Sequence, residues 1–387
     1  MKRLILLVEG DPSDLRNFSG IPYHFSQALR RSLDRIGVVL LTVDTSYLLN
    51  VEEMLDPALP DHKLRFAPNR ELLGALGEGR VAALPDYYAA VEHHLDQRIA
   101  AIAEPSDVLL SQNYLYPYLG TTRPIHYFLD AVLTDFYFGG PHSTVPDVPG
   151  RDQAADFFRT LERDALVASP HIFCFSAALR EDIRDQFAVP PDRLTVVGAG
   201  PNVIAPGSLD QPRDPTSPLR LLFVGRDFRR KGGYVLLEAL ARISEDISLT
   251  IVTDEVRLPR TSDPRVTFRT EQSSDQLCRL YRDSDVLVLP TLLEPYGLVL
   301  LEAMSFGLPV IAAQTYAVPE ILGTTSFPRI VRAGDPDHLA AAIRKVASDR
   351  ELVHHWGVAN FLRARHRFGW DRCADLIVET IWNTATK

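Results

Sequence analysis

Two stretches of this chain combine residue types that could handle a phosphorylated ligand. The first is Val224-Gly225-Arg226-Asp227-Phe228-Arg229-Arg230-Lys231-Gly232-Gly233. Four cations fall within six positions and glycines flank them. Guanidinium and ammonium donors make charge-assisted hydrogen bonds to phosphate oxygens, so this composition suits a diphosphate. An Arg-Arg-Lys run on its own reads more simply as a solvated loop. The second stretch is what singles out Arg226 and Lys231, and it adds less for Arg229 and Arg230.

That second stretch is Glu294-Pro-Tyr-Gly-Leu-Val-Leu-Leu-Glu302-Ala-Met-Ser-Phe-Gly307. A strand-like run, DVLVLP, ends at Pro290, and Gly297 opens a helix expected to reach about Phe306. Glu302 has Leu298, Val299, Leu300, Leu301, Ala303 and Met304 around it, and a helix apolar nearly all round is a buried one. An ionised carboxylate there is costly unless something satisfies it. Either it caps a neighbouring backbone or pairs with a buried cation, or it awaits a ligand's hydroxyls; the sequence favours the second. Glu294 precedes it in the loop, where a carboxylate can face a cleft. Backbone N–H groups near Tyr296, Gly297, Leu298 and Val299 lack intrahelical acceptors, and the helix dipole adds positive character. Gly297 would let a phosphate approach closely.

The elements that must carry these residues alternate along the chain. Leu4–Val8, Val38–Val43, Val108–Ser111, Ile172–Ser176 and Leu194–Val197 read as strands. Leu221–Val224, Leu249–Val252, Val266–Phe268, Val286–Pro290, Pro309–Ala312 and Arg329–Val331 continue the series. Amphipathic helical patterns such as Tyr23–Leu33, Ala154–Val167, Tyr234–Ile243 and Ala340–Val346 fall between them. Strands separated by helices imply βαβ units and parallel sheets covered on both faces. Residues 201–217 are rich in proline and lack periodicity, which suits a linker. Two doubly wound domains are therefore expected, 1–200 and 218–365, with a final helical segment over 366–387. Ligands of open α/β sheets bind at the carboxyl ends of strands, so two such domains facing each other would define a central cleft.

Composition sets the outer limits. At 387 residues two domains are the prior, and 46% hydrophobic with 24% charged residues is ordinary globular usage. A formal net charge of −9 argues against non-specific binding to nucleic acid or anionic membranes. The apolar run at the start is short and is followed by Glu9 and Asp11, so it reads as a strand rather than a signal segment. No stretch approaches the length needed to span a bilayer. Cys174, Cys278 and Cys373 form no CxxC pair and read as free thiols, consistent with a reducing, cytoplasmic setting.

Together the two stretches resemble the retaining GT-B glycosyltransferases, which include glycogen synthase-like, sucrose synthase-like and phosphatidylinositol mannosyltransferase-like enzymes. Gly225-Arg226 to Lys231-Gly232 matches that family's G-R-x4-K-G loop, and Glu294 with Glu302 its E-x7-E segment. The resemblance implies two Rossmann-like domains and no metal or resident cofactor. It implies a nucleoside diphosphate sugar, UDP- or GDP-linked, as donor and a hydroxyl-bearing small molecule, glycan or lipid-linked acceptor. Arg226 and Lys231 would grip the diphosphate, Glu294 the transferred sugar, and Glu302 the ribose. Arg269 and Thr270 fall where the family's base-contacting loop lies.

Weaker likenesses extend the match. Gly20 sits in a segment like the family's first βα loop. Pro319-Glu320-Ile321 resembles its P-E-[IV], although Tyr316-Ala317 stands where Gly-Gly is usual. Phe368-Gly-Trp-Asp371 resembles the closing motif, whose helix crosses back to the first domain. Where many relatives carry a His facing the reacting sugar, this chain has Asp130; nearby His126 is the alternative, and Asp130 is favoured.

Other signals read as structural. Asp283-Ser-Asp285 and Asp335-Pro-Asp337 match the D-x-D of metal-dependent glycosyltransferases, but lie at a helix–strand junction and a helix start. Gly198-Ala-Gly200 lacks a third glycine, which argues against a dinucleotide enzyme. His93-His94 reads as a helix-surface pair without a third ligand at zinc spacing. Two rivals remain at this stage: a nucleotide-sugar epimerase of the same fold, and a non-catalytic nucleotide-sugar binder.

Overall fold

A computed structural model describes residues 2–8, 11–15, 20–44, 96–97, 99–112, 123–139, 151–205, 217–254, 261–270, 272–323 and 329–383. The chain forms two compact units, Met1–Gly198 with Trp370–Lys387, and Ala199–Gly369. Each is built on a parallel six-stranded sheet.

In the first unit the strands are β1 (Arg3–Val8), β2 (Val39–Asp44), β3 (Val108–Ser111), β4 (Ile125–Leu129), β5 (Ile172–Cys174) and β6 (Leu194–Val196), in the order β2-β1-β3-β4-β5-β6. Residues 4–8 of β1 are all buried, because helices and loops cover both faces of a parallel sheet. One face packs Ile5, Leu7, Leu109, Tyr127 and Leu129 against Phe158 and Leu161 of the Arg151–Ala168 helix. The other carries an aromatic cluster. Phe128 lies 4.6 Å from Phe25 and 4.5 Å from Phe175, and Trp370 closes on both at about 6 Å. Trp370 begins the last helix, Trp370–Asn383, which packs along the Ile21–Asp34 helix. Arg31–Asp371 at 2.7 Å and Arg35–Asp375 tie the two together.

The second unit contains β7 (Leu219–Val224), β8 (Ile247–Val252), β9 (Val266–Arg269), β10 (Val286–Leu289), β11 (Val310–Ala313) and β12 (Ile330–Val331). Their order, β9-β8-β7-β10-β11-β12, is the doubly wound dinucleotide-fold order. The chain winds outward from β7 to β9, then returns to lay β10 on the other side of β7.

Several expectations change in detail. The strand β4 was not among the runs picked out by periodicity, and the 18-residue Arg350–Arg367 helix was not either. That helix has no clean apolar stripe and contains Gly357. Glycine is required there by packing: a Cβ at Gly357 would lie 2.2 Å from the Gly307 carbonyl oxygen. Asn360 completes the contact by donating to Leu308 O at 2.9 Å. The second unit also begins at Ala199 and ends at Gly369, outside the expected limits of 218 and 365. Residues 199–203 are already hydrogen-bonded to the second unit's own side chains, so the linker expected over 201–217 starts later. Most of it, 206–216, lies outside the described residues, as do His93 and His94. Among the described residues no helix is long and apolar enough to cross a membrane.

Candidate active site

The topology of the second sheet explains why two motifs far apart in sequence meet. β7 and β10 are hydrogen-bonded neighbours at the point where the winding reverses, and loops leaving their carboxyl ends diverge to opposite faces. The Arg/Lys loop leaves β7 and the Glu loop leaves β10.

Glycines shape the first loop. A Cβ at Gly225 would stand 2.8 Å from Lys231 Cγ, so the missing side chain is the space the lysine stem occupies. Gly232 has φ +80° and caps the Gly233–Leu240 helix. A Cβ there would lie 1.9 Å from the Pro290 carbonyl oxygen, so glycine sets how closely the two loops approach. Asp227 organises the turn, its Oδ1 accepting from Arg230 N at 2.9 Å and its carbonyl from Lys231 N at 3.0 Å.

Arg230 then laces this loop to the second. Its guanidinium donates to Leu293 O at 2.8 Å, and its carbonyl accepts from Leu292 N at 2.8 Å and Thr291 Oγ1 at 3.3 Å. Between loops held this way, Lys231 Nζ forms an ion pair with Glu294 Oε2. The side chains are 15% and 6% exposed. Burial pushes the Lys231 ammonium down from its ordinary range, with Glu294 pulling it back up.

Gly297, at φ +99°, opens the Leu298–Ser305 helix, and no side chain caps that end. Leu298 and Val299 form its first turn. Tyr296, just before it, is buried and its hydroxyl accepts from Ala199 N at 3.2 Å.

Glu302 lies in the same helix, and protein groups already serve it. The Tyr281 hydroxyl donates to Oε2 at 2.7 Å, and the backbone N–H groups of Asn202 and Val203 donate to the carboxylate. Burial raises its pKa to about 7, against the opposing pull of these three donors and of the Lys231 charge. Tyr281 comes from the Ser274–Asp283 helix and stacks on Phe306 with ring centroids 5.2 Å apart. The donors that the sequence reading left to a ligand are therefore supplied, at least in part, by this fold.

The remaining predicted residues fall into two groups. Arg226 is on the first loop but stands apart from the buried pair, 61% exposed and 3.3 Å from Asp254. Arg269 and Thr270 are exposed at the carboxyl end of β9. In the first unit Gly20, at φ +81°, caps the Ile21–Asp34 helix in the loop after β1. Asp130 directly follows the last residue of β4, at its carboxyl end. His126 sits within β4 opposite Leu110, its ring 6.3 Å from Phe173.

The D-x-D pairs have structural work. Asp285 accepts from Arg220 N at 2.9 Å and from its guanidinium, and Asp335 caps the Pro336–Ala347 helix through His338 N at 2.8 Å. Among the described residues no three His, Cys, Asp or Glu side chains are grouped to hold a metal ion. The three cysteines are free, and burial pushes the Cys174 thiol up to about 12.

Sequence reasoning missed Tyr281, Arg230 as a lace between loops, and the 199–203 segment. The first carried a partial signal: Tyr281 is a hydroxyl-bearing ring on a helix that runs straight into β10. Nothing local marks Asn202 and Val203, whose partner is about a hundred residues away.

Comparison with known proteins adds a family. Residues 218–349 match the family described as Glycosyl transferases group 1. Over 217 residues the chain is 29% identical to the MMP alpha-(1->4)-mannosyltransferase of Mycolicibacterium hassiacum, a match covering 53% of this chain and 52% of that protein. Over 353 residues it is 25% identical to the alpha-maltose-1-phosphate synthase of Mycolicibacterium smegmatis, covering 79% and 88%. The chain thus spans about half the length of the first relative and most of the second. Sucrose-phosphate synthase from Thermosynechococcus elongatus superposes with a TM-score of 0.69 at 20% identity, over 100% of this chain and 99% of that one. HepE from Anabaena, solved in complex with UDP-glucose, superposes with a TM-score of 0.65 at 15% identity, over 98% and 99%. At these identities the structural likeness speaks for fold, and the family match speaks for the second unit. Residues 218–349 are a group 1 glycosyl transferase domain, carried on a chain with the GT-B fold of two parallel α/β units.

Proposed function

We propose that this protein moves a sugar from a nucleoside diphosphate sugar, UDP- or GDP-linked, to a hydroxyl group of a small-molecule, glycan or lipid-linked acceptor. Transfer proceeds with retention of anomeric configuration and without a metal ion. The observation that carries the reading is the enclosed Lys231–Glu294 ion pair, which unites a cation and a carboxylate at the reversal point of the sheet. It is supported by the family match and by relatives named as a mannosyltransferase and a maltose-1-phosphate synthase. A structural neighbour holding UDP-glucose supports the donor class.

In this reading Lys231 and Arg226 take the diphosphate, together with backbone N–H groups at Gly297, Leu298 and Val299. These preorganised donors stabilise negative charge as the bond from the sugar's anomeric carbon to the phosphate oxygen breaks. Glu294, released from full engagement with Lys231, accepts hydroxyls of the transferred sugar. Glu302 takes a ribose hydroxyl, and Arg269 and Thr270 border the base. The acceptor oxygen bonds to the anomeric carbon, and its proton passes to the departing phosphate oxygen. Asp130, at the carboxyl end of β4, and Gly20, at the start of the Ile21–Asp34 helix, are the first unit's own candidates for a part in the reaction.

A thermal-shift panel of UDP, GDP, ADP and TDP tests the donor class. Saturation at about 100 times Kd stabilises by roughly 2.7 kcal/mol. Incubating the matching donor with and without hydroxyl acceptors then tests transfer. Isomerised donor without any acceptor would instead identify an epimerase. A Glu294→Gln variant that altered affinity alone would identify a binder.

A further inference from the structure

The Glu302 carboxylate also holds the backbone where the chain enters the second unit. It accepts from the backbone N–H groups of Asn202 and Val203 as well as from Tyr281. Two other side chains of the same stretch hold the same backbone. Ala199 N donates to the Tyr296 hydroxyl at 3.2 Å. Ser305 Oγ donates to Glu302 O at 2.7 Å and lies 3.4 Å from Val203 O. Tyr296, Glu302 and Ser305 together grip residues 199–203, where the chain enters the second unit.

We propose that Glu302 couples nucleotide occupancy to this entry segment: a ribose hydroxyl donated to the carboxylate tightens its hold on the Asn202 and Val203 backbone. The inference rests on the ribose assignment made under the proposed function.

The direction follows from acceptor capacity. An ionised carboxylate offers about four lone-pair positions, and Tyr281 with two backbone N–H groups fills three of them. A ligand hydroxyl therefore adds to the shell rather than displacing the segment. Burial holds the Glu302 pKa at about 7, so a fourth donor shifts the carboxyl toward its ionised form, and hydrogen bonds to an ionised acceptor are shorter and stronger than those to a neutral one. The amides of 202 and 203 are therefore held more tightly when the nucleotide is bound. Linkage makes the effect reciprocal: what the ligand does for the segment, the ordered segment does for ligand affinity. Tyr281 is a positioning residue here. Its hydroxyl donates to the carboxylate while its ring stacks on Phe306, and it fixes which lone pairs remain open.

The test is hydrogen exchange of the full-length protein, followed by mass spectrometry on peptides covering 199–205. UDP and GDP, their 2′,3′-dideoxy analogues, and inorganic pyrophosphate serve as probes, each at a concentration shown by calorimetry to saturate. The nucleotide that binds is expected to slow exchange at 202 and 203 by about fivefold or more, the lower end of ordinary coupling. Pyrophosphate and the dideoxy analogue bind the Lys231 loop and leave 199–205 unchanged. Glu302→Gln abolishes the slowing while nucleotide still binds. If that variant fails to fold, Tyr281→Phe serves instead and at least halves the effect. Equal slowing by pyrophosphate, or a bound nucleotide that leaves 199–205 unchanged, overturns the coupling and leaves the donor reading intact. Absence of binding by either nucleotide removes both.

Discussion

Lys231 and Glu294 are 63 residues apart in the chain and form a single ion pair, with side chains 15% and 6% exposed. Taking two charges this far out of water is unfavourable unless each satisfies the other. The loops themselves are also kept in place by hydrogen bonds to main-chain carbonyls, chiefly between Arg230 and residues 291–293.

Removing one partner should therefore be worse than removing both. Lys231→Met leaves Glu294 buried without its cation and is expected to destabilise the second unit by about 3 kcal/mol. The double variant Lys231→Met/Glu294→Leu should recover most of that loss and remain inactive. Urea unfolding of both proteins, with a donor-consumption assay, decides it. A double variant as unstable as the single one would show that the pair is not the source of the penalty.

The approach of the two loops depends on Gly232. Alanine there would carry its Cβ into the Pro290 carbonyl from a backbone at φ +80°, and a main-chain carbonyl cannot rotate aside. Gly232→Ala is expected to cost about 2 kcal/mol or more. It should also spread the loops and lower kcat by at least tenfold. Gly37 is the control, because it has positive φ with nothing within 4 Å of a new Cβ. Gly37→Ala should cost about 1 kcal/mol, from backbone strain alone, and spare activity.

Tyr281→Phe deletes one donor to a buried carboxylate while keeping the ring stacked on Phe306. The expected loss is about 1–3 kcal/mol in stability. Kinetically, the donor KM should rise several-fold with kcat nearly unchanged, since the nucleotide end is affected and the reacting bond is not. A fall confined to kcat would contradict this assignment.

The first unit should lose stability in mild acid. Burial, helped by the neighbouring His171, pulls the His126 pKa down from 6.5 to about 4, and its Nδ1 has no hydrogen-bond partner among the described residues. Between those values the unfolded chain binds a proton that the folded one refuses. Stability therefore rises with pH across this window and is lost as pH falls from about 6.5 toward 4. The ceiling is about 3 kcal/mol. Unfolding midpoints of wild type and His126→Phe at several pH values test it, and the variant should show the flatter dependence. Parallel slopes would assign the acid sensitivity elsewhere.

The parts of this molecule legible in sequence were those written in local pattern. Alternating apolar runs announced two parallel sheets, and the glycine-flanked cations and the Glu-bearing apolar helix are two motifs that the fold brings together at the ends of neighbouring strands. What stayed hidden depends on contacts between distant residues. Gly357 is required by the Gly307 carbonyl oxygen, which no local pattern reveals, and β4, with Asp130 at its end, falls outside the runs that periodicity picks out. Glu302 was read as waiting for a ligand because apolar neighbours in sequence reveal no donors in space. Its donors come from Tyr281 and from Asn202 and Val203, at the far end of the unit's sequence.

The position of Trp370 has a consequence for how the chain is made. Its indole closes the Phe25, Phe128 and Phe175 cluster, yet the whole of 199–369 is synthesised between that cluster and its lid. A ribosome therefore exposes a contiguous second unit, able to fold as soon as it emerges, while the earlier half waits with an uncovered aromatic face for the last residues to arrive.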